Sequence, residues 1–122
     1  MNFRKISLKS GANVILGKDE DSNDYLMNDF KGKENIILHT VSPGSPFGVI
    51  DKLKPTKVEI HEAGCFVARY SQDWRDNKQN VKISVFTGKN ISKEKGMKPG
   101  LWKASKSKTI IVRKKDILKI IG

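Results

Sequence analysis

The stretch Asn35-Ile36-Ile37-Leu38-His39-Thr40-Val41 predicts the central strand of a β-sheet. Most of its residues are apolar and several are β-branched, and such residues favour strands. The strand ends at the turn Ser42-Pro43-Gly44-Ser45-Pro46, because proline and glycine interrupt regular structure. His39 lies within the apolar run, so we interpret it as a structural residue rather than as a catalyst.

Strand character recurs on both sides of this segment. Ile6 and Leu8 alternate with polar neighbours, and Ser10-Gly11 then makes a turn. Val81, Ile83 and Val85 alternate with Lys82 and Ser84, which predicts a strand with one solvated face. The further predicted strands are Phe3–Leu8, Asn13–Leu16, Phe47–Ile50, Val81–Phe86 and Lys108–Val112.

Helical patterns are fewer. Thr56 and Glu59 have the spacing of a capping box, which predicts that the principal helix begins there and runs to about Tyr70 or Asp73. Shorter helices are predicted to run from a cap at Ser22 or Asp21 through Phe30 and from Lys114 to Ile121, with a polar connector at Asp73–Asn80. The sequence therefore predicts an α+β fold, a single compact domain over residues 1–122. Its mostly antiparallel or mixed sheet would have five or six strands, with one principal helix and one or two short ones.

Positive charge is concentrated towards the C-terminal end of the chain. The 122 residues carry a formal net charge of +11. Residues 1–74 contain 10 basic and 10 acidic residues, whereas residues 75–122 contain 14 basic and 3 acidic ones. This segregation predicts a basic surface for an anionic partner, with nucleic acid first, an acidic membrane surface second and an acidic protein third.

The segment Lys89–Lys108, called the basic loop below, carries much of this charge. Gly96, Pro99 and Gly100 exclude a long helix or strand and favour a shaped loop, and the two glycines would permit close approach of the backbone to a nucleic acid. Trp102 either stacks on an unpaired base or packs as a plug that anchors the loop to the sheet. Seven positions are lysine, opposed only by Glu94: Lys89, Lys93, Lys95, Lys98, Lys103, Lys106 and Lys108.

Other residue types argue against several classes of site. Cys65 is the only cysteine, which excludes a disulfide framework and a cysteine-based zinc site, and we expect it to pack in the core. The acidic cluster at residues 19–21 lacks calcium-loop spacing and is typical of a helix N-terminus. We expect no metal, no cofactor and no catalytic set. No run is suited to crossing a membrane, so we expect a cytoplasmic protein without a membrane partner.

Four sequence blocks resemble the NFACT-R domain family, also called DUF814, and the last block is the most specific. In chain order they are Gly17-Lys18 with Asn23-Asp24-Tyr25-Leu26; Leu38-His39 with Pro43-Gly44-Ser45; Glu62-Ala63 with Ala68 and Tyr70-Ser71; and Lys89-Asn90 with Lys93, Lys95-Gly96 and Lys98-Pro99-Gly100, backed by Thr109–Val112. The chain departs from the family at Pro46, where a histidine is common, and an aromatic common before the basic loop is displaced to Phe86.

The resemblance implies an RNA-binding module of the translation machinery. Long relatives are ribosome quality-control factors that bind stalled large subunits and tRNA, and some short ones are associated with tRNA thiolation. The expected partner is therefore tRNA or rRNA, possibly on the large ribosomal subunit. The resemblance also marks four polar positions of unassigned role, Asn23, Asp24, His39 and Ser45.

Three functional hypotheses follow from these observations. In the first, a non-catalytic module holds RNA phosphates through Lys93, Lys95, Lys98, Lys103, Lys106 and Lys108, and roughly six contacts to a single strand predict a log–log salt slope near −4. The alternative is a small RNA-processing or tRNA-modifying enzyme that uses His39 and neighbouring polar residues. In the third, the same lysines dock an acidic ribosomal protein.

Overall fold

The computed structural model describes residues 2–122, in which six strands form one antiparallel sheet. Along the chain the strands are β1 (Phe3–Ser7), β2 (Asn13–Gly17), β3 (Ile36–Thr40), β4 (Gly48–Ile50), β5 (Val81–Thr87), β6 (Ile91–Ser92), β7 (Lys103–Ala104) and β8 (Lys108–Val112). The large sheet has the order β1-β2-β4-β3-β5-β8, whereas β6 and β7 pair separately. The predicted α+β class is confirmed, and β3 lies inside the sheet between β4 and β5.

Four helices accompany the strands: α1 (Glu20–Phe30), α2 (Lys57–Arg69), α3 (Gln72–Asn77) and α4 (Lys114–Ile121). The cap predicted for α1 was wrong, because Asp19 rather than Ser22 or Asp21 precedes the helix and accepts the Ser22 amide at 2.8 Å. The predicted connector at 73–80 was also wrong over most of its length. Ser71 caps α3 there by accepting the Trp74 amide at 3.2 Å, and Trp74 is buried.

The sheet is buried on both faces near its middle. Adjacent residues of a strand point to opposite faces, and accordingly Leu38 packs with α2 and α4 while Ile37 packs with α1. This explains why β3 reads as a continuous apolar run rather than as an alternating one. Cys65 of α2 lies in the first of these clusters, and burial raises the pKa of its thiol to about 12.

The predicted capping box of α2 is present and has additional partners. Glu59 accepts hydrogen bonds from the Ser10 hydroxyl at 2.6 Å, from the Thr56 amide at 2.8 Å and from Lys52 Nζ at 2.9 Å. These donors, led by Ser10, lower the pKa of Glu59 to about 2. The carboxylate therefore ties α2 to the β1–β2 turn while remaining ionised at neutral pH.

The α1 face of the sheet is open beyond β3. His39, Ser84 and Thr109 form one cross-strand row on β3, β5 and β8. Ile111, two residues beyond Thr109 on the same face, exposes 54% of its surface. The basic loop follows β5 and packs beside this open area, with Trp102 and Ala104 against the α1 cluster.

Candidate nucleic-acid interface

The basic loop is folded, and one carboxylate fastens it to α1. Asp24 Oδ1 accepts hydrogen bonds from Trp102 Nε1 at 2.8 Å, from the Gly100 amide at 2.9 Å and from Lys93 Nζ at 3.0 Å. Burial alone would raise the pKa of Asp24, but these hydrogen bonds and the Lys93 charge outweigh it and lower the pKa below its ordinary value. Asp24 is therefore ionised at neutral pH and holds three separate points of the loop.

Lys93 braces the loop from within. Besides Asp24, its ammonium donates to the Lys98 and Leu101 carbonyls, each at 3.0 Å. An ammonium group has three donors, so all of them are engaged inside the protein. Lys93 was grouped with the phosphate-binding lysines in the sequence-based hypothesis, but its geometry suits it to shaping the loop.

Trp102 is half-buried and belongs to the same arrangement. Its indole packs against the cluster that contains Phe86 and Ile91, and its N–H donates to Asp24. Lys93 Nζ lies 5.3 Å from the ring centroid, which adds a cation–π contact. Of the two roles considered for Trp102, these contacts favour the anchor.

Six lysines of the basic loop remain exposed. Lys89 pairs with Glu34 at 2.9 Å and Lys103 with Glu94 at 3.0 Å, and both partners of each pair are well exposed. Exposed ion pairs contribute little stability, so they exchange readily for another anion. The other four ammonium groups have no carboxylate of residues 2–122 within 4.0 Å: Lys95, Lys98, Lys106 and Lys108.

Part of the positive charge of residues 75–122 lies outside the basic loop, at the start of α4. Arg113, Lys114 and Lys115, at the start of α4, line a shallow hollow with Asn80 and Leu118. The basic loop therefore carries much of the excess positive charge but is not its sole carrier.

Residues from all four family-like blocks meet at one cavity of about 470 Å³, called the motif cleft below. The cleft lies between β1, the start of α1, the turn after β3, the α2–α3 junction and the basic loop. It is lined by Arg4, Gly17, Lys18, Asp19, Glu20, Asn23, His39, Pro43, Gly44, Ser45, Pro46, Tyr70, Arg75, Pro99, Gly100 and Leu101. Segments far apart in the sequence thus share one concave surface.

Two of the block residues have structural roles at the cleft wall. Asn23 Oδ1 is buried and accepts the Phe47 amide at 3.1 Å, which attaches α1 to the strand leading into β4. A Cβ atom at Gly17 would lie 2.0 Å from that same oxygen. Gly17 is therefore glycine because Asn23 approaches its backbone closely.

Of the four polar positions in the family-like blocks, His39 and Ser45 also stabilise the shape of the cleft. His39 Nδ1 donates to the Thr40 carbonyl at 2.7 Å, and burial lowers its pKa despite the opposing hydrogen bonds to the Thr40 and Ser45 backbone. The Ser45 hydroxyl donates to the Pro46 carbonyl at 2.7 Å and accepts the Thr40 amide at 3.2 Å. His39 is therefore neutral at pH 7. The Ser45 hydroxyl already donates its proton to the Pro46 carbonyl, so Ser45 is unsuited to donating a hydrogen bond to a phosphate.

Asp24 does not line the cleft with Asn23, His39 and Ser45, so the structure brings together three of the four polar positions. Sequence reasoning missed Arg4 and Arg75 entirely and gave Tyr70 no role. Arg4 lies outside all four blocks in the sequence, although β1 pairs with the strand that ends at Gly17, and Arg75 belongs to the helix α3 that was not predicted. Tyr70 could have been found, since it belongs to a family-like block.

Residues 2–122 offer neither a metal centre of clustered acidic, histidine or cysteine side chains nor a membrane-spanning helix. No group of three histidine, cysteine, aspartate or glutamate side chains there is placed to hold a metal ion. Among the same residues, no helix has both the length and the apolar character needed to cross a bilayer.

Comparison with known proteins shows the class of domain. The family model described as the NFACT protein RNA binding domain matches residues 2–106, and the chain belongs to this family. The resemblance noted in the sequence is confirmed, and we assign the chain an RNA-binding role at that level.

Two known proteins are similar to the chain over most of its length. Rqc2 homolog RqcH of Bacillus subtilis (strain 168) is 29% identical over 104 residues, which cover 84% of this chain but 18% of RqcH. The solved C-terminal part of the fibronectin/fibrinogen-binding protein from Streptococcus suis has a TM-score of 0.85 at 22% identity, over 98% of this chain and 49% of that chain. The second similarity shows the fold alone.

Proposed function

We propose that this protein binds tRNA or rRNA without catalysis and with little sequence preference, through phosphate contacts made by the exposed lysines of the basic loop. The observation that carries the proposal is the loop itself, which presents Lys95, Lys98 and Lys106 outward while Asp24 fixes its backbone. A fixed cationic surface loses little conformational freedom on binding, and phosphate contacts carry no sequence information.

The setting we propose is translation, in ribosome quality control or tRNA modification in the cytoplasm. Similarity to Rqc2 homolog RqcH supports the first of these. The large ribosomal subunit as a place of binding is suggested by the family resemblance of the sequence. Because the chain corresponds to 18% of RqcH, the activity of that whole protein is not carried over.

A salt titration of RNA binding tests the proposal. The sequence-based hypothesis named six phosphate-binding lysines, and without Lys93 five of them remain: Lys95, Lys98, Lys103, Lys106 and Lys108. A plot of log Kd against log salt for a single strand should therefore have a slope of magnitude about 3.5. Lys95→Gln and Lys98→Gln should each lower that magnitude by about 0.7. Lys57→Gln is the matched control, because Lys57 is exposed on α2, which covers the other face of the sheet.

A slope close to zero for the wild-type protein would contradict the electrostatic mechanism. Displacement of the RNA by an acidic peptide at equal charge concentration would instead favour the role of a protein adaptor. Equal effects of Lys57→Gln and Lys98→Gln would show that charge matters and that the basic loop does not.

A further inference from the structure

We propose that the motif cleft holds one unstacked nucleotide, at a single-stranded end or loop of the RNA. The proposal rests on RNA binding by the basic loop and adds a second site with different chemistry. Its basis is the pairing, in one cavity, of a largely apolar wall with cations that have no carboxylate partner among residues 2–122, although Arg75 also donates to the Tyr70 carbonyl at 3.3 Å.

The apolar wall is formed where the basic loop meets the turn after β3. Pro43, Pro46 and the neutral His39 ring line the cleft there together with Leu101, which exposes 52% of its surface. Leu101 also lines the neighbouring hollow over Phe86 and Trp102, so it stands as a ridge between two cavities. A planar base that leaves its stack can pack against these rings and the exposed leucine, whereas a phosphate group makes no favourable contact with an apolar surface.

The cationic wall is formed by β1, the residue after β2, and α3. Arg4, Lys18 and Arg75 line it, and no carboxylate of residues 2–122 is paired with any of the three. The Arg4 guanidinium carbon lies 4.1 Å from the centroid of the Tyr70 ring. A guanidinium stacked in this way keeps the N–H groups at its edge free for a phosphate.

The third feature of the cleft is acidic and argues for a nucleotide rather than for a free anion. Glu20 lines the same cavity and is exposed, while Asp19 beside it is occupied by the cap of α1. A carboxylate repels a bare phosphate but accepts hydrogen bonds from ribose hydroxyls. A ligand with a planar group, hydroxyls and one phosphate therefore matches the whole lining.

The size and position of the cleft agree with this ligand. Its volume of about 470 Å³ is in the range of small-ligand sites and cannot admit a duplex. Pro99, Gly100 and Leu101 belong both to the basic loop and to the cleft wall, so a strand held at Lys98 passes the cleft opening.

The test compares binding of a blunt RNA duplex with binding of the same duplex carrying a short single-stranded 3′ extension. The wild-type protein should bind the extended RNA roughly tenfold more tightly, which corresponds to one stacked base. Arg4→Gln and Leu101→Ala should each abolish most of this difference and leave the blunt duplex unaffected. Lys5→Gln is the matched control, because Lys5 adjoins Arg4 but points to the other face of β1.

The outcomes separate this inference from the proposed function. Equal wild-type affinity for the two RNAs, with the expected salt slope, would overturn the cleft site and leave the basic loop standing. Equal weakening of both RNAs by Arg4→Gln would also overturn it, because Arg4 would then act only through charge. Failure of the wild type to bind either RNA would overturn both proposals, and thermal melts of each variant confirm that the fold is intact.

Discussion

At the scale of single residues, Asp24 sets the shape of the proposed interface. Its negative charge lowers the net positive charge of the surface by one, yet three donors of the basic loop converge on its Oδ1 atom. Charge and shape therefore predict opposite effects when this carboxylate is neutralised, which makes Asp24 an informative position.

Asp24→Asn should weaken RNA binding several-fold although it raises the net charge. An amide cannot accept as strongly from Lys93 and Trp102 at once, and we expect the loop to lose about 1–2 kcal/mol of local stability after allowance for partial exposure. Fluorescence anisotropy gives the affinity, and hydrogen exchange at the Gly100 amide reports the loosened loop. Asp29→Asn on the exposed side of α1 is the control of equal charge, and tighter binding by Asp24→Asn would contradict the importance of loop shape.

At the scale of elements, the basic loop is a short hairpin rather than a free segment. Ile91 pairs with Ala104 and Ser92 with Lys103, and the Ser105 amide donates to the Asn90 carbonyl at 2.8 Å. Gly96 and Gly100 both have positive φ, at +89° and +82°. Only Gly100 lies against another element, because an added Cβ there would be 3.2 Å from the Cα of Glu20 in α1.

These two glycines give a paired prediction. Gly96→Ala should cost about 1 kcal/mol for its left-handed backbone and leave RNA binding nearly unchanged, because space around residue 96 is open. Gly100→Ala should cost up to about 3 kcal/mol and weaken RNA binding, since it pushes the loop away from α1. Thermal unfolding and binding titrations measure both effects, and equal behaviour of the two variants would argue against attachment of the loop to α1.

At the scale of the whole molecule, cationic groups besides the cleft residues Arg4, Lys18 and Arg75 are available to an anionic partner. The basic loop is one, and the start of α4 with its hollow at Arg113, Lys114 and Lys115 is another. Long-range attraction depends on total charge, whereas specific contact depends on where the charge lies. Variants that remove the same charge from each group therefore distinguish the two.

The triple variant Lys95→Gln, Lys98→Gln, Lys106→Gln should weaken RNA binding roughly tenfold or more at moderate salt. The triple variant Arg113→Gln, Lys114→Gln, Lys115→Gln lowers the net charge equally and should weaken binding by no more than about threefold, through the general field alone. Parallel binding titrations at one salt concentration make the comparison. An equal loss in both variants would show that net charge, and not the basic loop, determines affinity.

The six strands of the large sheet, the main helix and the family could be predicted from the sequence alone, whereas the short strands β6 and β7 within the basic loop could not. The alternation at Val81–Val85 and the capping box at Thr56 and Glu59 are local signals, because period-two burial and helix capping depend on residues a few positions apart. The same locality explains the missed elements. The Asp19 and Ser71 caps compete with several equally suitable neighbours, and burial of Trp74 against a distant cluster decides that α3 forms.

The roles of the polar residues depend on tertiary contacts that the sequence does not reveal. The role of Lys93 depends on Asp24, which is 69 positions away, and the cleft depends on Arg4 lying beside Tyr70 and the basic loop. Contacts of this kind join residues whose separation in sequence carries no periodic signal. The sequence therefore identified a lysine-rich segment and the family of the chain. The folded structure determined that Lys93 braces the basic loop and which residues line the motif cleft.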